Sequence, residues 1–235
     1  MSVFSASSHN LYRRAPAHLV PFALGGGFAL LAVAVVAYLL WPTFTARSAA
    51  IPDRLPVSVG ATLFNVPTSA IRVKIQRHSG PQERIDLAFE WPSLAPPDAV
   101  KHVSAETVGD RGLQPIDRIF VSIAAHHDAL GPDERLRTIY PRYFDVSSRS
   151  DQDGLTMRAF RQGTPYAAED LFSADAPLLV ARCTRDGVTP GMCLSERRID
   201  GADLTFRFPR GWLSQWREVA VAMERLTAEM RGPRG

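Results

Sequence analysis

The sequence predicts an α+β protein: a single N-terminal transmembrane helix followed by a mainly antiparallel sheet domain with a packed C-terminal helix. Three observations carry this reading. From Ala15 to Ala46 there is no Asp, Glu, Lys or Arg, and 20 of the 26 residues in Leu19–Phe44 are apolar. Beyond residue 56, short stretches alternate apolar and polar side chains, the period of a half-buried strand. The C-terminal end carries a wide apolar stripe at helical spacing.

The N-terminal elements come first. Residues 1–18 form a short tail, 19–41 a membrane-spanning signal anchor, 42–56 a linker and 57–235 an exported domain. At about 1.5 Å per residue the span 19–41 reaches roughly 35 Å, enough to cross a hydrocarbon core of about 30 Å. Phe28–Leu40 is apolar on every face, whereas a soluble amphipathic helix would show a polar stripe. Tyr38 and Trp41 suit one membrane interface, and Pro42 ends the helix because it has no backbone N–H to donate. Arg13 and Arg14 precede the span and orient the tail to the cytoplasm and the bulk of the chain outward. A cleaved signal peptide, with Ser48-Ala49-Ala50 as its cleavage region, is the alternative. The apolar core is much longer than the about 7–15 residues usual for one. Gly25 and Ala29 form a small-residue ridge through which two such helices could self-associate. The layout resembles that of small single-span bacterial envelope proteins with an exported domain. That resemblance implies an inner-membrane anchor, a cytoplasmic N-terminus and a periplasmic C-terminal domain.

In the domain, Val57–Phe64 is a first predicted strand. Ile71–Ile75 and Ile85–Phe89 alternate cleanly, and Trp91–Pro115 is a long connection rich in Pro and small polar residues. Arg118–Ala124 is a more buried strand. Pro132, Asp133 and Glu134 open a helix that stops before Pro141, with its acids at the positive end of the dipole. Leu155–Arg161 is a strand and Ala167–Phe172 a helical turn. Leu178–Arg185 and Met192–Ile199 are strands around the turn Asp186–Gly191, and Leu204–Phe208 is the last strand. Trp212, Leu213, Trp216, Val219, Ala220, Met223, Leu226 and Met230 share one stripe of the final helix, which is expected to lie across the sheet. Phe64–Pro67, Phe89–Pro92 and Phe206–Pro209 each end a run in the same way, which suggests strands that stop at one rim.

Chemistry is sparsely signalled. Cys183 and Cys193 flank the Asp186–Gly191 turn symmetrically about Val188, so a hairpin centred there sets them face to face. Beyond a membrane span they are expected to form a disulfide. His126, His127 and Asp128 are the most reactive-looking cluster. Adjacent His side chains point to opposite sides of an extended chain, so a solvated strand end is favoured over a metal or acid–base site. Asp151-Gln-Asp-Gly154 echoes the opening of a calcium loop but is better read as a turn. No metal and no cofactor are expected.

The charge balance is 27 basic against 24 acidic residues, a net of +3. Arg13 and Arg14 supply two of these charges, which leaves the rest of the chain nearly neutral and speaks against nucleic acid as a partner. There is no G-x-S-x-G elbow, H-E-x-x-H pair or phosphate-binding glycine loop. The expected role is therefore a non-catalytic envelope interaction or accessory protein whose partner is another envelope component. The alternative is a tethered envelope hydrolase or a small-ligand-binding domain.

Overall fold

A computed structural model describes residue 27 and residues 29–39, 52–98 and 116–231. Chain contacts divide at Ile51/Pro52. In the first unit, residues 29–39 are helical, so Ala29 sits on a helix. No helix among the described residues is long and apolar enough to cross a membrane. Nearly half of the expected span, Gly25 included, lies outside the described residues, as do the tail and the linker up to residue 51.

The second unit is α+β, with a mainly antiparallel sheet and a C-terminal helix. β1 (Arg54–Val59) and β2 (Thr62–Pro67) form a hairpin, where the sequence suggested one strand over Val57–Phe64. Residues 54–56, expected in the linker, are already strand. Gly60 makes the turn at φ +58°, and a Cβ there would overlap the Gly201 carbonyl. The Thr62 hydroxyl donates to the Ile199 carbonyl at 3.2 Å and accepts from the Gly201 N–H at 3.2 Å. This small hairpin is thereby pinned to the tip of a later one. β3 (Gly80–Gln82) adds parallel to β1 and completes a three-stranded sheet.

The large sheet contains β4 (Arg84–Glu90), β5 (Arg118–Ala125), β6 (Ser150–Gln152), β7 (Leu155–Ala159), β8 (Glu169–Asp175), β9 (Leu178–Thr184), β10 (Met192–Ile199) and β11 (Ala202–Pro209). Its order is β4-β5-β11-β10-β9-β8-β7-β6, and every neighbouring pair is antiparallel. Its inner face buries Ile85, Leu87, Ile119, Val121, Ile123, Leu204, Phe206 and Leu179. That face packs in one core with Val57, Phe64 and Val66 of the hairpin and with α2 (Trp216–Met230). α2 buries Trp216, Val219, Ala220, Met223, Leu226 and Met230, the predicted stripe. Each such large side chain contributes about 1.5–3 kcal/mol on burial. Trp212 and Leu213 fall instead on the 3-10 turn Arg210–Gln215 that precedes it.

On the outer face, α1 (Pro132–Thr138) packs against β10, and the 3-10 turn Tyr140–Arg142 sets Tyr140 over Leu171 of β8 and Val180 of β9. Tyr140, Phe160, Leu171 and Tyr166 form a separate cluster there. Pro132 opens α1 with Asp133 and Glu134 in its first turn, as expected.

Two further predicted elements are corrected. Ile71–Ile75 is not a strand. Ile71 makes one bridge to Leu87 and Arg72 donates its N–H to the Asp86 carbonyl at 2.9 Å, but Lys74–Gln76 is a 3-10 turn and Ile75 is 82% exposed. The Gln76 side chain takes over the pairing, accepting the Asp86 N–H at 2.9 Å. Ala167–Phe172 is not a helical turn, because Glu169 onward forms β8. The Asp153-Gly154 turn, both residues at positive φ, joins β6 and β7 into a hairpin. β4 and β11 run in the same direction and end at one rim, where Trp91 stacks on Trp212 with centroids 4.8 Å apart. Two of the three proline-ended runs thus meet at one rim, while β2 belongs to the smaller sheet.

Candidate binding site at a split in the sheet

The ladder between β9 and β10 is confined to Cys193↔Cys183 and Leu194↔Arg182. Every other neighbouring pair in the large sheet except the short β6–β7 hairpin has at least four paired positions. Beyond Leu194 the two strands part, and each keeps only its other neighbour. The sheet therefore consists of two halves, β4-β5-β11-β10 and β9-β8-β7-β6, joined at one seam. The predicted disulfide Cys183–Cys193 lies on that seam, fully buried. The Asp186–Gly191 turn sets the register that brings the two sulfurs together, and the Gly191 N–H donates to Asp186 Oδ1 at 2.8 Å.

Beyond the seam the parting leaves an opening of about 320 Å³, bounded by Leu178 and Val180 on one side and Ser195, Arg197 and Ile199 on the other. Pro132 of α1 and Thr227 of α2 close it from the two faces of the sheet. Leu178, at its mouth, is 51% exposed. Arg197 is mostly buried and thinly partnered: Glu224 lies at 3.8 Å and the Leu178 carbonyl accepts at 3.3 Å. Burial pulls its guanidinium below the usual value, against the pull of Glu224. An under-paired cation in a low-dielectric wall favours an oxygen acceptor beside it.

A second opening, of about 460 Å³, lies between the β6–β7 hairpin and the 3-10 turn before α2. Met157, Phe172, Leu213 and Trp216 give it apolar walls, and Ser150 and Ser214 add hydroxyls. The Trp216 Nε1–H is buried without a partner among the described residues. Arg210 lines this groove and also binds the seam. It donates to Asp170 Oδ2 at 2.7 Å and to the carbonyls of Cys183 and Thr184 at 3.4 and 3.2 Å, and it stacks on Phe172. Asp170, only 4% exposed, also accepts from Arg185 Nε at 2.9 Å.

The residues singled out in the sequence lie elsewhere. His126 Nδ1 is 3.6 Å from Asp203 Oδ2, and His127 Nε2 is 3.8 Å from Glu83 Oε2, so the two rings meet different carboxylates. Asp128 is exposed, and none of the three lines either opening. Among the described residues no group of three His, Cys, Asp or Glu is placed to hold a metal ion. Asp203 is chiefly a partner of Arg198, at 2.7 and 3.0 Å. Sequence reasoning missed Arg197, Ser195 and the groove around Arg210. The one local signal was a basic residue at a core-facing position of a strand.

Asp203 and Asp86 set an acid limit. The Arg198 hydrogen bonds hold the Asp203 carboxyl below its usual 3.8, with burial opposing and the Arg198 charge and His126 assisting. Burial raises Asp86, but hydrogen bonds from Arg84, Gln76 and Ser122 and the Arg84 charge outweigh it and leave that carboxyl low. Both are lower folded than unfolded. Their stabilisation is complete above about pH 4 and is lost as pH falls through the folded values. The gap in urea midpoint between the protein and Asp203→Asn should therefore shrink as pH is lowered from 6 towards 2.5. An unchanged gap at the acid end would remove Asp203 from the account.

No protein-family model and no curated protein matches the chain. Two solved structures resemble it in part. One is Smlt3025, an immunity protein of the Stenotrophomonas maltophilia type IV secretion system, at 16% identity and a TM-score of 0.48, over 77% of this chain and 94% of that one. The other is FrpD, an iron-regulated outer membrane lipoprotein of Neisseria meningitidis, at 8% identity and a TM-score of 0.32, over 67% and 80%.

Proposed function

We propose that the protein is a non-catalytic interaction protein of the bacterial envelope. Residues 19–41 anchor it in the inner membrane, and its periplasmic domain accepts an extended segment of another envelope protein between β9 and β10. The observation that carries this reading is the parting of the two strands beyond Leu194. Two strand edges that have left each other present backbone donors and acceptors, the groups an added strand pairs with. Arg197 in the wall adds a charge for a carbonyl or carboxylate of the incoming segment. The uncharged run 19–41 and the arginine pair before it support the anchor and its orientation.

The test is crosslinking in intact cells from a photoreactive side chain at Leu178, at the mouth of the opening, compared with one at Val188 in the hairpin turn. A discrete adduct with one envelope protein is expected from position 178 and not from 188. It should be lost when Val180 is replaced by Asp. Equal adducts from both positions, or none from 178, would overturn the proposal. A second reading, a small-ligand-binding domain, is favoured by one observation: the unpartnered Trp216 Nε1–H in the wall of the larger groove.

A further inference from the structure

The outer face of β4, β5 and β11 brings two arginines without a carboxylate partner into one depression. Most arginines of the domain meet a carboxylate within 4 Å. Arg72 and Arg207 do not meet one among the described residues, yet they line the same depression. The strand register explains why they converge. Asp86, Ser122 and Thr205 form one row across the three strands, and Ala88, Phe120 and Arg207 form the next. Arg72 enters from the segment before β3 and lays its guanidinium over the Phe120 ring, 4.6 Å from the centroid. That stacking holds one cation beside the other, with the Ser122 and Thr205 hydroxyls in the adjoining row.

The carboxylate nearby does not neutralise them. Asp86 is taken by Arg84, at 2.8 and 3.0 Å, by Gln76 Nε2 at 3.3 Å and by the Ser122 hydroxyl. The lining thus holds three guanidinium groups against one carboxylate, and that carboxylate pairs with Arg84 and not with Arg72 or Arg207. We propose that this depression binds a phosphate-type oxyanion, held by Arg72 and Arg207 with Thr205 as a further donor. Its volume of about 50 Å³ limits the ligand. It exceeds the roughly 30 Å³ share of one water and falls far below the about 300 Å³ at which pockets for organic ligands begin. One tetrahedral oxyanion group fits, and the remainder of any larger molecule stays in solvent. Guanidinium forks suit such an anion, because charge-assisted hydrogen bonds are about twice as strong as neutral ones.

The test uses the full chain in detergent micelles, labelled so that the arginine Nε–H resonances are resolved. Inorganic phosphate is titrated at constant ionic strength, with chloride as the control anion. In a parallel arm the probe is glycerophosphoglycerol, the headgroup of phosphatidylglycerol. The Arg72 and Arg207 resonances should shift saturably, with half-saturation near about 1 mM. Arg72→Gln and Arg207→Gln should each weaken binding about tenfold or more. Arg158→Gln, which removes an equal charge stacked on Phe144, should leave it unchanged. Tighter binding of free phosphate assigns the site to that ion, and tighter binding of the headgroup assigns it to lipid. Either result supports the proposal. Absence of saturation with both probes would overturn it, and so would an Arg158→Gln loss equal to that of Arg72→Gln.

Discussion

Replacing both cysteines with serine should lower the unfolding free energy of the C-terminal domain by about 2–3 kcal/mol, the loop-entropy value for a bridge closing this short a loop. The sequence separation of Cys183 and Cys193 is 10. The consequence reaches beyond that loop because the bridge lies where the two halves of the large sheet are joined. Amides of β9 and β10 should therefore lose more hydrogen-exchange protection than those of β4 and β5, which are paired over seven positions. Urea unfolding with and without reductant gives the first number, and exchange rates give the second. An unchanged urea midpoint, or uniform loss of protection across both halves, would show that the seam does not depend on the bridge.

Asp170→Ala should cost about 3 kcal/mol. It leaves the Arg210 and Arg185 guanidinium groups without the carboxylate that holds both, and breaking a buried pair costs about 3–5 kcal/mol. The lower end applies because Arg185 is 37% exposed and water can take over part of its pairing. Arg185→Ala should cost less than Arg210→Ala. Arg210 also donates to the carbonyls of Cys183 and Thr184, so its loss frees the seam as well. Chemical denaturation of the three variants gives the order Asp170→Ala, Arg210→Ala, Arg185→Ala. A loss below about 1 kcal/mol for Asp170→Ala would place its pairing among surface ion pairs.

Asp170 also explains why β8 escaped the sequence. Asp170, Phe172 and Ala174 face the main core while Leu171 enters the outer cluster, so successive residues are buried on both faces and one inward position is charged. Alternation of hydropathy identifies strands with one wet face, and in β8 the buried run Asp170–Phe172 breaks that alternation. The opposite error occurred at Ile71–Ile75, where alternation was present and the strand was not. There the Gln76 side chain pairs with Asp86 and the backbone turns away, which residue types alone do not announce. β5, β10, β11 and α2 were legible because each has one buried and one polar face, and α1 because Pro132, Asp133 and Glu134 mark its start. The cysteine register was legible for a related reason: a short turn with a symmetric sequence leaves one pairing open to its flanks.

The candidate sites were much less legible. Arg197, Ser195, Leu178 and Val180 become neighbours only because β9 and β10 part, and Arg72 reaches Arg207 only through strand register and the Phe120 ring. By itself the sequence determined the α+β class, the disulfide and the amphipathic C-terminal helix, and it supplied the expectation of a membrane anchor. These follow from composition and periodicity within a few residues of one another. Tertiary structure alone decided where the sheet divides and which charges go unpaired. Both depend on contacts between residues distant in the chain, whose pairing is set by packing and not by local preference.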